Sequence, residues 1–237
     1  MHDQEMSLVK HFEELRSRLC KSAVLVIVCS LVLYKYSDLA LYLLARPIGT
    51  LVFTAPHEAF ITNLKIAFLG GILISSPFII YEIWQFIAVG LTAKERKYIG
   101  VFTPLSFMLF TIGIVFGFFI IVPISIHFLL GFGGEFIKPM IMISHYLSFV
   151  GTLTFAFGVV FQLPLVMLFL TKMALVTPLL LARKRKIVIV VIFVVAAMLT
   201  PPDIISQVLM AVPLIVLYEI GIIASRVVYK PQYKSID

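Results

Sequence analysis

Leu8, Phe12, Leu15 and Leu19 recur at helical spacing near the start of the chain, while Lys10, Glu14, Ser17 and Lys21 form the opposite stripe. One apolar and one charged stripe on a single helix read as an amphipathic helix lying in a membrane interface. It runs directly into the first of several apolar runs that follow one another to the end of the chain. Several approach or exceed the roughly 18 residues that mark a membrane-spanning helix. They predict six spans, at 22–44, 64–90, 98–124, 147–171, 187–200 and 204–222.

Spans five and six look short. Ile187 to Leu199 would give about 20 Å of helix against roughly 30 Å of hydrocarbon. Basic residues at 183–186 can snorkel, and the remaining mismatch would thin the bilayer or leave the helices facing protein or a water-filled cavity. The segments 45–63 and 125–146 contain Pro47, Pro56, Gly131, Gly133, Gly134 and Pro139, which suit ordered caps or turns. Internal prolines at Pro77, Pro123 and Pro164 predict kinks or helix ends, and kinked helices can enclose a concave face. No internal repeat is evident, which weighs against transporter architectures built from related halves.

Composition agrees with this pattern. Hydrophobic residues make up 61% of the chain and charged residues 13%, far from the balance of a soluble domain. The mean hydropathy is +1.10. The expected fold is an all-α integral membrane protein, a single polytopic domain over 1–237. It comprises an amphipathic helix at 1–21, a six-span bundle at 22–222 and a tail at 223–237. The charged start lacks a small-residue cleavage site after a short apolar core, so the first span reads as retained rather than removed.

Charge then orients the chain. Fifteen of nineteen basic residues fall in alternate connections, around 10–21, 94–97, 172–186 and 226–234. By the positive-inside rule both termini are cytoplasmic. The net charge of +7 is therefore a topology signal, and nucleic-acid binding need not be invoked. Cys20 and Cys29 fall in or beside the first span, about 13 Å apart along one helix, too far for a disulfide.

Catalytic chemistry is not advertised. His2, His11, His57, His127 and His145 form no metal-ligand spacing, and there is no nucleophile elbow or phosphate loop. In LTAKERK, residues 91–97, Thr92 and Glu95 have the spacing of a capping box. Glu95 could equally offer its carboxylate to a guanidinium, and the two roles can coexist because one carboxylate has spare acceptor capacity. Glu14 faces Arg18 four residues on, and Glu13 faces Arg16 three on; exposed pairs of this kind contribute only a few tenths of a kcal/mol and are displaced cheaply. In TPPD, residues 200–203, Thr200, Pro201 and Asp203 suit a tight hairpin with a capped helix start. Gln162, just before Pro164, is a polar amide at a depth where it should face protein or water. Glu82 is less deep, and a structural hydrogen bond is the plainer reading for both.

Together these residues resemble the TatC family of the twin-arginine translocase. The resemblance covers most of the chain through HFEELRSRL, PFIIYEIWQFIAVGL, the KERK loop, SHYLSFVGTLTFAFGVVFQLP, LTPPDIISQ and YEIGIIASR. It implies a receptor in the bacterial inner membrane that binds signal peptides bearing two consecutive arginines on folded proteins. It also implies single-span partners TatA and TatB, a homo-oligomer within a larger complex, energy from the protonmotive force, and neither enzyme activity nor a cofactor. The signal-peptide positions implied are Glu14, Arg16, Phe86, Leu91 and Glu95, with Pro47 and Asp203 matching external positions. Many members carry Glu where this chain has Gln162; glutamine keeps hydrogen-bonding reach but not the charge. Gln162 is then a partner-helix anchor rather than a protonatable group. The rival classes are a proton- or ion-coupled small-molecule transporter, motivated by Gln162 and Glu82, and an intramembrane hydrolase.

Overall fold

The computed structural model describes residues 8–45, 51–52, 55–131, 140–199 and 204–229. The described residues are almost entirely helical. Five helical stretches are long and apolar enough to cross a membrane: His11–Tyr34, Pro56–Val89, Ile99–Leu130, Ile143–Lys172 and Ile204–Val228. The chain divides into two compact units, Met1–Phe107 with Glu135–Gly151, and Met108–Gly134 with Thr152–Asp237.

In the first unit, α1 (Leu8–Tyr34) runs unbroken through the expected junction between interfacial helix and span. It stops ten residues short of the expected end of span one. A turn at Lys35–Tyr36 separates it from α2 (Ser37–Ala45), and the Ser37 hydroxyl donates to the Tyr34 carbonyl at 2.8 Å. The polar Tyr-Lys-Tyr-Ser-Asp run, not the return of apolar residues beyond it, sets the break.

Helix α3 (Pro56–Val89) begins on a proline, where a missing N–H is harmless, and extends for 34 residues, about 50 Å. It continues through Pro77, so of the two expected outcomes, a kink or a helix end, the helix end does not occur there. Pro77 cannot serve the Leu73 carbonyl four residues back; the Ser76 hydroxyl takes that acceptor at 2.7 Å instead.

Helices α1 and α3 form the main packed pair of this unit. Gly70 and Gly71 allow the approach: a methyl group on Gly71 would stand 2.9 Å from the Ser30 backbone nitrogen. After the short α4 (Ala93–Arg96), α5 (Ile99–Phe116) leads into the second unit, and Trp84 stacks on Phe102 at 5.3 Å between centroids. At the opposite end, Val52 and Met142 form a single parallel bridge, and the buried Tyr146 donates to the Leu44 carbonyl at 2.8 Å.

In the second unit, the helix begun by α5 widens into a π turn at Gly117–Ile121 and continues as α6 (Val122–Leu130), past the expected end of span three. Val122 donates back to Gly117, five residues away. That wider register accommodates Pro123, which has no N–H to give. Gly113 lies against the backbone of Phe157 and Gly158 in α7 (Ile143–Val160), and Phe116 packs on Phe157 and Phe161.

The expected break before Pro164 is present: a turn at Phe161–Gln162 separates α7 from α8 (Leu163–Lys172). Then follow α9 (Pro178–Arg183), capped by Thr177, α10 (Arg185–Leu199) and α11 (Ile204–Val228). Helix α10 has 15 residues, about 22 Å, and is short as expected. Helix α11 corrects the expectation for span six. It has 25 residues and continues past 222 to Val228, since Arg226 can snorkel from the last turn, and Glu219 within it holds a two-pronged pair with Arg185 at 2.7 and 2.8 Å.

Candidate functional site

The apolar stripe of α1 faces outward: Phe12 and Leu19 are each 66% exposed, as suits a helix in contact with lipid. The stripe that meets α3 starts polar and turns apolar, through His11, Glu14, Arg18, Ser22, Leu25 and Val26. The i, i+3, i+4 spacing of these residues places them on one face. Two contacts fix the antiparallel register of that face. The His11 ring lies over Phe86 with centroids 4.5 Å apart, and Arg18 Nη1 donates to Glu82 Oε2 at 2.7 Å.

Arg18 also donates through Nη2 to Glu14 Oε1. One guanidinium thus joins two carboxylates, the half-exposed Glu14 and the buried Glu82, whose side chains are 37% and 9% exposed. The Arg18 side chain is 18% exposed, and its buried Nε has no hydrogen-bond partner among the described residues. The trio carries two negative charges and one positive. Glu13 and Arg16 are exposed and do not pair with each other, unlike the i, i+3 contact their spacing suggests.

Beyond Phe86 the chain leaves α3 through Gly90 and the partly buried Leu91 into the cap of α4. The expected capping contact is present: Glu95 Oε2 accepts from the Thr92 N–H at 3.0 Å and from the Thr92 hydroxyl at 2.8 Å. Both bonds fall on one oxygen. Glu95 Oε1 has no hydrogen-bond partner among the described residues. Arg96 and Lys97 are exposed, with Lys97 over the Tyr98 ring at 5.5 Å. Lower on the α1–α3 seam, Cys20, Val24, Leu25, Val28 and Phe78 line an open apolar groove. Cys20 and Cys29 are free thiols.

Of the residues expected at a docking surface, Glu14 and Phe86 share the α1–α3 seam, while Leu91 and Glu95 occupy the connection that follows it. Arg16 stands apart, exposed. Gln162 lies in the second unit, half-buried at the break between α7 and α8. Pro47 and Asp203 lie outside the described residues, as does the whole TPPD segment.

Sequence reasoning missed the joining of Arg18 to Glu82 and the contact of His11 with Phe86. A signal existed for the first: Glu82 is the lone acid between Leu64 and Gly90, and a carboxylate inside an apolar run requires a cation. Among the described residues no group of three His, Cys, Asp or Glu side chains could hold a metal ion.

Residues 10–213 match the family described as "Sec-independent protein translocase protein (TatC)". A TatC of that description from Carboxydothermus hydrogenoformans is 42% identical over 240 residues, covering 99% of both chains. The TatC of Escherichia coli K12 is 36% identical over 226 residues, covering 92% of this chain and 88% of its own. A crystal structure titled as the twin arginine translocase receptor TatC superimposes with a TM-score of 0.84 at 35% identity, over 92% of this chain and 99% of that one.

Proposed function

The chain belongs to the TatC family of multi-pass membrane proteins, components of the Sec-independent protein translocase and not enzymes, and on that premise we propose that it is the receptor and core scaffold that binds twin-arginine signal peptides of folded proteins. Binding takes place at the cytoplasmic face, with both termini cytoplasmic and α10 counted as a sixth, short span. The partners are single-span proteins of the TatA and TatB type, other copies of the chain and membrane lipid. Gln162 serves as an intramembrane polar contact for a partner helix.

The observation that carries this reading is the engagement of Glu14 with a guanidinium, that of Arg18, at the half-exposed end of the α1–α3 seam. A site whose carboxylate already meets one arginine has the shape to meet another. Arginine suits it better than lysine, because a planar fork can address both carboxylate oxygens while an ammonium cannot. Glu95 adds a second carboxylate with an oxygen to spare, and the Phe86 ring and the apolar groove on the seam offer adjacent surface to the peptide's apolar stretch. The transporter alternative loses support, since Glu82 is committed to Arg18.

Binding of a labelled twin-arginine signal peptide to the purified protein in nanodiscs tests the proposal, against a twin-lysine peptide and against Glu14→Ala and Glu95→Ala proteins. Preference for arginine that collapses in both folded variants is the expected result. Equal binding of both peptides, unchanged by either substitution, would remove the recognition role from these acids.

A further inference from the structure

Arg18 stands where an incoming guanidinium would go. Its Nη2 occupies Glu14 Oε1, so a peptide arginine that takes both oxygens of Glu14 in a two-pronged contact must displace a resident one. Arg18 cannot simply be released, because it is largely buried and an unpaired charge there is costly. The structure provides a place for it. Glu82, seven residues before the end of α3, accepts from Arg18 through Oε2 alone, and Oε1 has no hydrogen-bond partner among the described residues. The buried Nε of Arg18 is likewise unpartnered.

We infer that Arg18 is an exchangeable internal ligand of the peptide site and that Glu82 is the carboxylate that receives it. In the empty protein Arg18 bridges Glu14 and Glu82 with one hydrogen bond to each. When a peptide guanidinium engages Glu14, Arg18 turns wholly onto Glu82 and uses its remaining donors there, so that two guanidiniums face two carboxylates. The charge balance favours the exchange: two acids and one arginine leave one negative charge uncompensated, and a second arginine cancels it. A ligand that fails to hold Glu14 in a two-pronged contact leaves Arg18 in place, which makes Arg18 a positioning residue for specificity. This inference rests on the signal-peptide reading above.

The test separates exchange from a merely structural clip between α1 and α3. Glu82→Gln is nearly isosteric but takes away the receiving carboxylate, so Arg18 holds Glu14 more firmly; twin-arginine peptide affinity is expected to fall about tenfold, the equivalent of one charge-assisted hydrogen bond. Adding Arg18→Gln removes the competitor, and the double variant is expected to bind the peptide at least as tightly as the parent protein. A structural clip predicts the opposite for the double variant, with both proteins weakened alike. Thermal unfolding is followed in parallel, since both substitutions remove the same inter-helix ion pair and should lower stability in the same direction while affinity moves in opposite directions. Equal weakening, or no change in either variant, overturns the exchange. If the parent protein shows no preference for arginine over lysine, the receptor reading itself fails and the exchange falls with it.

Discussion

The imidazole of His11 lies against the ring of Phe86, centroids 4.5 Å apart and planes inclined by 33°. His11 stands one turn before Glu14, so this contact sets the height at which Glu14 meets α3. Replacing His11 by Ala should remove an aromatic pair worth about 0.5–1.5 kcal/mol and loosen the start of α1. Peptide affinity should fall with it, although His11 has no charge complementary to arginine. His11→Phe retains the ring contact and should retain both stability and binding. Unfolding curves in detergent alongside peptide titrations check this; equal losses in the two variants would assign the effect to the imidazole nitrogens instead.

Ser76 and Pro77 offer a cleaner stability test. The Leu73 carbonyl loses its usual partner to Pro77 and is served by the buried Ser76 hydroxyl. Ser76→Ala should therefore destabilise by about 1–3 kcal/mol, the range for a buried acceptor left unmet. The double substitution Ser76→Ala with Pro77→Ala restores a backbone N–H at position 77 and should recover most of the loss. A double variant no more stable than Ser76→Ala alone would mean that the hydroxyl does not stand in for the missing helical bond.

The periodic features of the chain were legible because they depend on composition over a short window. The outward stripe of Phe12, Leu15 and Leu19 follows from spacing, the Thr92–Glu95 contact from a three-residue relation, and the break at Gln162 from Pro164. Helix ends were less legible where the decisive partner lies far along the chain. Arg226 looks like a reason to end a span early until its reach to the interface is counted, and Glu219 inside that span meets its partner only in Arg185, 34 positions away. Pro77 looks like a breaker until Ser76 supplies the missing partner. The link between Arg18 and Glu82 depends on how α1 is rotated against α3, and that rotation is fixed by the close approach at Gly70 and Gly71, which local spacing near residue 18 does not encode.

Ala174 adopts φ 56°, in the left-handed region that residues with a Cβ disfavour. It closes α8, with its own N–H on the Thr171 carbonyl at 3.1 Å and the Leu175 N–H on the Leu170 carbonyl at 3.0 Å. Ala174→Gly should relieve that strain and stabilise the protein by up to about 1 kcal/mol, less the entropy that glycine adds to the unfolded chain. Peptide binding should not change, because Ala174 is none of the proposed docking residues. A lower unfolding temperature in this variant would show that the strain at Ala174 is smaller than the entropy glycine adds to the unfolded chain.

Glu95 combines a cap with a charge, and the two are separable by chemistry. Glu95→Gln keeps a side-chain oxygen that can accept from the Thr92 N–H and hydroxyl but carries no charge. Glu95→Ala loses both, and the lost cap should cost about 0.5–2 kcal/mol at the start of α4. If the carboxylate recognises arginine, the glutamine variant should fold with near-parent stability and yet bind the twin-arginine peptide about tenfold or more weakly, since a charged acceptor contributes roughly 1.5–3 kcal/mol per hydrogen bond to a guanidinium. Binding by the alanine variant should be no stronger. If glutamine instead binds like the parent while alanine fails, the loop needs its cap and not its charge, and recognition would then rest on Glu14.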